Sequence, residues 1–113
     1  VNTMLIIPET QEEGETWMGY IEGYSMCGKT GTALKLDVNE NGLPVYSDKN
    51  TNTSFVGWGP AEDPEFIIYV WIDNPHPITY ASLVAAPVYK DVAEFLLSYY
   101  KIPPDNVRLQ LQD

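Results

Sequence analysis

The sequence predicts an α+β fold, in which an antiparallel sheet of three strands is covered by one C-terminal helix. Three segments rich in β-branched and aromatic residues are bounded by turn-forming residues, which is typical of strands. The connections between them are short, so neighbouring strands are expected to be antiparallel. A later apolar stretch has the spacing of a helix. With 44% hydrophobic residues among 113, the chain has enough apolar material for a core.

The first strand is predicted in residues 20–34, where small, β-branched and aromatic residues surround three glycines. Glycine inside a strand marks a place where a ligand or another backbone approaches closely. We expect the acidic residues 9–15 to form a loop and the polar residues 37–52 to form a surface excursion between strands. Within that excursion Asn41-Gly42 is a typical tight turn, and residues 48–52 are a second possible hairpin.

The second strand is predicted in residues 53–59 and the third in residues 66–72, with a turn at residues 60–64. The third segment is an unbroken apolar run, which is typical of a strand that is covered on both faces. We therefore expect this strand to lie at the centre of the sheet.

A helix that covers one face of the sheet is predicted from about Ala81 to the stop at Ile102-Pro103-Pro104. Pro87 is tolerated because it lies in the first turns, where few hydrogen bonds are lost. The tail from Asp105 is expected to be loose. The apolar residues at helical spacing are Leu83, Val84, Val88, Val92, Phe95, Leu96 and Tyr99.

The charge of the chain argues against several classes of partner. A formal net charge of -10 repels nucleic acid and anionic lipid headgroups. No His, Cys and Asp residues have the spacing of a metal site, and we expect neither a metal nor a cofactor. Cys27 is expected to be a small buried hydrophobe, and His76 an exposed loop residue.

Lys29 is the only basic residue in the first predicted strand, which makes it a candidate ligand-binding group. An ammonium about 4 Å from a carboxylate gains on the order of 4 kcal/mol at an effective dielectric constant near 20. Thr30 and Thr32 add hydroxyl groups, and Gly31 leaves room for a ligand backbone along the strand. An unpaired N–H of the same strand is suited to bind an oxyanion. Together these four residues are a candidate carboxylate receptor.

Four segments of the chain form a pattern in order and in spacing. They are Gly28-Lys29-Thr30-Gly31-Thr32-Ala33, Ser54-Phe55-Val56-Gly57-Trp58-Gly59-Pro60-Ala61 with Asp63-Pro64, Val84-Ala85-Ala86-Pro87-Val88-Tyr89-Lys90, and Ile102-Pro103-Pro104. In this order and spacing the chain resembles class B penicillin-binding proteins. The resemblance extends from about Met4 to Pro104, and the whole of residues 1–113 is accordingly identified as the C-terminal part of a transpeptidase domain.

The resemblance implies the penicillin-binding and serine β-lactamase-like fold and a serine D,D-transpeptidase that cross-links peptidoglycan stem peptides. Lys29 and Thr32 would be catalytic, with Lys29 in the hydrogen-bond network and the Thr32 N–H forming half of the oxyanion hole. Lys29, Thr30, Gly31 and Thr32 would bind the D-Ala-D-Ala or β-lactam carboxylate. The parent protein would be membrane-anchored, at the extracytoplasmic face of a bacterial cell membrane.

The other two elements of this family, S-x-x-K and S-x-N, are expected upstream of residue 1. Ser98-Tyr99-Tyr100-Lys101 matches S-x-x-K, but it follows the K-T-G run and is interpreted as surface. Without the nucleophile, the chain alone is expected to be inactive. We also expect the third strand to pair with the missing upstream part, so that the isolated chain would expose an apolar edge and self-associate.

Two other interpretations stay open. A serine β-lactamase or a β-lactam sensor shares the K-T-G strand but hydrolyses or senses the β-lactam. A degenerate module would serve only in binding or scaffolding, and replacing Lys29 would leave that role intact.

Overall fold

The structure is a computed structural model that describes residues 5–112, whereas residues 1–4 and 113 of the predicted domain lie outside the described part. It contains an antiparallel sheet of three strands in the order β1-β2-β3, with helices after the sheet. The predicted α+β fold is confirmed. The strands are β1 (Cys27–Val38), β2 (Pro44–Gly59) and β3 (Phe66–Asp73); the helices are α1 (Ala81–Val84), α2 (Ala86–Tyr99) and α3 (Asp105–Arg108); 3₁₀ turns span Glu15–Gly19 and Leu109–Gln112.

The first strand begins later than predicted, at Cys27 rather than at residue 20. Tyr24 N donates to Ile21 O at 3.2 Å and closes a turn. Gly23 has a φ of 90°, a backbone conformation that favours glycine. This turn redirects the chain before the strand starts, so Gly23 belongs to a turn and not to the strand.

The prediction of a surface excursion at residues 37–52 was wrong, because β1 and β2 extend into this region and pair there as a long hairpin. The turn at Asn41-Gly42 is confirmed: Gly42 has a φ of 77°, and Gly42 N donates to Asn39 O at 3.0 Å. No second hairpin forms at residues 48–52. The hydroxyl of Ser47 instead accepts hydrogen bonds from the N–H groups of Lys49 and Asn50, where β2 bulges.

The central strand of the described sheet is β2, and the expectation that the third strand is central was wrong. Alternate residues of β3 face opposite sides. Ile68 is buried toward the helix, whereas Ile67, Tyr69 and Trp71 are 70%, 65% and 56% exposed. We call the surface formed by Ile67, Tyr69 and Trp71 the open face of the sheet.

Helix α2 covers the other face of the sheet, but with a different set of residues from the predicted one. Its buried residues are Ala86, Tyr89, Ala93 and Leu97. The larger residues of the predicted stripe face outward, and Phe95 and Tyr99 are 62% and 66% exposed. Alanines allow the helix backbone to approach the sheet closely. The predicted residues that are exposed are Leu83, Val88, Val92, Phe95 and Tyr99.

Two aromatic rings fill the space between α2 and the sheet. Phe55 and Tyr89 are fully buried, with ring centroids 4.8 Å apart. A Cβ on Gly57 would lie 2.2 Å from the Tyr89 ring, and one on Gly28 would lie 2.6 Å from the Phe55 ring. Both glycines are therefore sockets for aromatic rings: Gly28 of β1 receives the Phe55 ring of β2, and Gly57 of β2 receives the Tyr89 ring of α2.

The tail from Asp105 is not loose, contrary to expectation. Asp105 N donates to Gly23 O at 2.8 Å, which attaches α3 to the turn before β1. A polar side-chain network adds to this contact. In the described part of the chain, no helix has the length and apolar character needed to cross a membrane.

Candidate active site

The candidate residues lie on β1, at one edge of the sheet. Ile6 forms an isolated bridge with Cys27, and Ile7 N donates to Met26 O at 2.8 Å. Beyond this bridge, no strand in residues 5–112 pairs with the outer edge of β1. An extended ligand therefore has an unoccupied strand edge to lie against.

Lys29 is exposed, and its Nζ donates to Thr30 O at 2.9 Å. Within the described residues its ammonium forms no ion pair. Lys35 on the same strand differs, because its Nζ lies 2.5 Å from Asp73 Oδ1. The ammonium of Lys29 is thus available for an anionic ligand, whereas that of Lys35 already has its counter-ion.

Lys29 and Thr30 line a cleft of about 280 Å³ together with residues from the segment that precedes β1. The wall residues from that segment include Glu13, Glu15 and Thr16. The acidic segment was expected to be only a solvated loop, so these wall residues were missed. Their sequence carries no ligand-binding pattern, and only the fold brings them beside Lys29.

The two threonines face the other side of the strand from Lys29. Thr30 is paired with Phe55 and Thr32 with Thr53, both of which face the helix, whereas Lys29 is paired with Val56. The ammonium and the two hydroxyls therefore do not form one cluster on a single face. They converge only on a ligand that lies along the outer edge of β1.

Gly31 lies opposite Ser54, where a Cβ would be 2.6 Å from the Ser54 hydroxyl oxygen. An alanine at this position would force that hydroxyl to rotate. The absence of a side chain thus serves packing within the sheet as well as access along the strand.

The other candidate groups lie apart from this cleft. Ser98 and Lys101 are exposed at the end of α2, as expected for surface residues. His76 is exposed and its Nε2 lies 3.0 Å from Asn74 Oδ1. Cys27 is fully buried, and burial raises the pKa of its thiol. The described part of the chain holds no cluster of three or more His, Cys, Asp or Glu residues able to bind a metal.

A family model described as the penicillin binding protein transpeptidase domain matches residues 1–94. The chain is 40% identical over 89 residues to a probable peptidoglycan D,D-transpeptidase, PbpC, from Pseudomonas aeruginosa. It is 36% identical over 99 residues to the stage V sporulation protein D of Bacillus subtilis. These alignments cover 78% and 87% of this chain but only 15% of each relative.

Solved structures agree with this assignment. The transpeptidase domain of penicillin-binding protein 3 from Burkholderia pseudomallei superposes with a TM-score of 0.67 at 29% identity, covering 82% of this chain and 27% of that one. Penicillin-binding protein 3 from Mycobacterium tuberculosis, in complex with ampicillin, superposes with a TM-score of 0.68 at 29% identity. This superposition covers 86% of this chain and 21% of that one. The chain therefore belongs to the penicillin-binding protein transpeptidase domain family, of which it forms a C-terminal segment.

Proposed function

We propose that the complete protein is a peptidoglycan D,D-transpeptidase and that this chain supplies its substrate-binding strand. One observation carries the proposal: Lys29 is a cation without an ion pair in the described residues, on a strand whose outer edge is unoccupied there. The names of the relatives, which include peptidoglycan D,D-transpeptidases, support the same reaction class. The ligand is a stem peptide that ends in D-Ala-D-Ala, or a β-lactam that mimics it.

In this mechanism the stem peptide lies along β1 and Lys29 attracts its terminal carboxylate. The hydroxyls of Thr30 and Thr32 hydrogen-bond the same group. Because Met26 O faces the outer edge, the alternation of backbone groups along the strand directs the N–H of Thr32 outward as well. That N–H donates to the oxyanion that develops when a serine attacks the peptide carbonyl.

The serine comes from the part of the protein upstream of residue 1. Its attack breaks the bond to the last D-Ala and leaves an acyl-enzyme, which the amine of a second stem peptide then resolves. We place this reaction at the extracytoplasmic face of a bacterial membrane, where the cell wall is built. The 113-residue chain alone has no S-x-N triplet and is inactive in this proposal.

The upstream part also covers the open face of the sheet in this proposal. A contiguous apolar surface of this kind marks an interface. Without that part, the isolated chain associates with itself through the same surface. Sedimentation of the isolated chain tests this, and a monodisperse folded monomer would contradict it.

The enzymatic proposal is tested by acylation of the complete protein with a labelled penicillin. We expect labelling of the wild type, none of the isolated chain, and a loss of about 100-fold in acylation rate for Lys29→Ala. Lys35→Ala is the matched control, because it removes a lysine whose charge is already paired on the same strand. Its rate should stay within about twofold, since exposed ion pairs contribute little.

Four outcomes would redirect the proposal. A folded wild-type protein that is never labelled would exclude the enzyme. Rapid hydrolysis of the bound penicillin would favour a serine β-lactamase, and stable labelling without transfer of a D-Ala-D-Ala peptide to an amine would favour a β-lactam sensor. Labelling that is unchanged in Lys29→Ala would show that Lys29 does not serve acylation.

A further inference from the structure

A polar network joins the C-terminal turn to two other segments of the chain. Arg108, whose side chain is 12% exposed, donates from Nε to Glu62 Oε1 at 2.7 Å. The same guanidinium donates to Asp105 Oδ1 at 2.6 Å and to Pro103 O at 2.8 Å. We call the three charged residues Glu62, Asp105 and Arg108 the clasp. It links the turn after β2 with α3.

The clasp reaches the segment that leads into β1 through the second oxygen of Asp105. Ser25 N donates to Asp105 Oδ2 at 2.8 Å, and Ser25 O accepts from Ala61 N at 2.7 Å. Tyr24 adds a hydrogen bond from its hydroxyl to Ile102 O at 2.6 Å. Both backbone polar groups of Ser25 are therefore held, one by the clasp and the other by the turn that carries Glu62.

The position of Ser25 matters because it lies four residues before Lys29. Four extended residues span at most about 14 Å, so a rotation at Ser25 is carried directly into the candidate site. In the described residues, the outer edge of β1 is held only at its start, by the bridge between Ile6 and Cys27, and the rest of that edge has no strand partner. An anchor at Ser25 adds a further constraint just before the strand.

Of the three clasp residues, only Glu62 lies within the residues that the family model matches. The family model ends at residue 94, whereas Asp105 and Arg108 lie beyond it. Arginine suits this role because its planar guanidinium binds two carboxylates at once and stays charged at any working pH. A lysine would keep the charge but lose the fork of donors.

We propose that Arg108 is a positioning residue for the edge strand: through Asp105 it holds Ser25 and so sets the place of Lys29 and Thr32 against the substrate. The proposal rests on the proposed transpeptidase function for its kinetic effect. It also makes a structural prediction that holds whether or not the protein is an enzyme.

The kinetic test uses the complete protein and a labelled penicillin, at a temperature well below the unfolding midpoint. We expect Arg108→Gln to lower the first-order acylation rate constant about tenfold, because small displacements of reacting groups are costly. Arg108→Lys should recover part of that loss. Lys90→Gln is the matched control, since it breaks an exposed ion pair on α2 and should leave the rate unchanged.

Two further measurements separate positioning from a general loss of stability. In the Lys29→Ala background, Arg108→Gln should cause a smaller loss than in the wild type, because only its effect through Thr32 remains and groups that act through one another are not additive. Amide hydrogen exchange of residues 25–32 in the complete protein should accelerate in Arg108→Gln and in Asp105→Asn, but not in Lys90→Gln.

The outcomes are distinguishable from those of the proposed function. A wild-type protein that is not labelled would overturn the proposed transpeptidase function but not the positioning role of Arg108. The hydrogen-exchange measurement would still decide that role. Unchanged exchange in both clasp variants would overturn the positioning role. So would a lower unfolding temperature with an unchanged acylation rate, because the clasp would then contribute only stability.

Discussion

The two faces of the sheet differ sharply in how completely they are covered. On the helix side, Phe55 and Tyr89 are fully buried. On the open face, Tyr69 and Trp71 are 65% and 56% exposed, although they are equally apolar and belong to the same sheet. In the described residues, one face is a buried core and the other is an exposed apolar surface. The candidate site lies at the edge where these two faces meet.

This difference shows which contacts the chain makes by itself. The helix-side core is built from residues of β2, β3, α1 and α2 together with residues of the segment that precedes β1. Under the proposed function, the open face is covered by the upstream part of the complete protein. We therefore expect substitutions on the two faces to act through different mechanisms and with different magnitudes.

The largest effect is expected on the covered face, for Gly57→Val. A Cβ at this position would lie 2.2 Å from the ring of Tyr89, which is held on all sides. Overpacking of this kind costs about 3 kcal/mol of unfolding free energy. Chemical denaturation of the complete protein measures it. Ala33→Val is the control, because residue 33 is exposed on the neighbouring strand. An equal loss of unfolding free energy in both variants would contradict the role of Gly57 as a socket for Tyr89.

An intermediate effect is expected on the open face, for Tyr69→Ser in the complete protein. If the upstream part covers this face, removal of the ring costs about 2 kcal/mol. Tyr46→Ser is the matched control, since Tyr46 lies in the hairpin and is 71% exposed. Its loss should stay below about 0.5 kcal/mol. Equal stabilities of the two variants would show that the open face stays uncovered.

The smallest effect is expected for Tyr89→Phe, which removes a buried hydroxyl without a hydrogen-bond partner among the described residues. At neutral pH this variant should be as stable as the wild type or more stable by about 1 kcal/mol. Denaturation at pH 7 measures the difference. A loss of more than 1 kcal/mol would reveal a partner for the hydroxyl.

The same variant has a pH dependence with a defined sign. Burial, with a smaller contribution from Cys27, raises the pKa of Tyr89 far above its usual value of about 10. Above pH 10 the unfolded chain loses this proton before the folded protein does, so the stability of the wild type falls as pH rises. Tyr89→Phe removes that contribution and should unfold at a higher alkaline pH.

The sequence was sufficient for the fold class and for the strand that carries Lys29. Glycines at residues 28 and 31, together with the K-T-G run, marked β1, and Asn41-Gly42 marked the turn of the hairpin. These are local signals, since a turn residue or a glycine in a strand reports on its own backbone. Their interpretation did not depend on which other segments pack nearby.

The errors concern choices that depend on tertiary packing. Helix α2 has two apolar stripes, and periodicity cannot decide which of them faces the sheet. The stripe that contains Tyr89 faces the sheet because the glycine at residue 57 leaves room for its aromatic ring. The clasp was missed for the same reason, because Arg108 and Glu62 are 46 residues apart and no local pattern connects them.

The paired sockets restrict how this part of the sequence can change over time. Gly57 cannot gain a side chain while Tyr89 occupies its space, and Tyr89 cannot become small without opening a cavity above Gly57. Gly28 and Phe55 restrict each other in the same way. The two residues of each pair are therefore expected to covary. Either residue can change without loss of stability only if the other changes with it. Single-step adaptation of this segment should concentrate along the outer edge of β1 and on the hairpin.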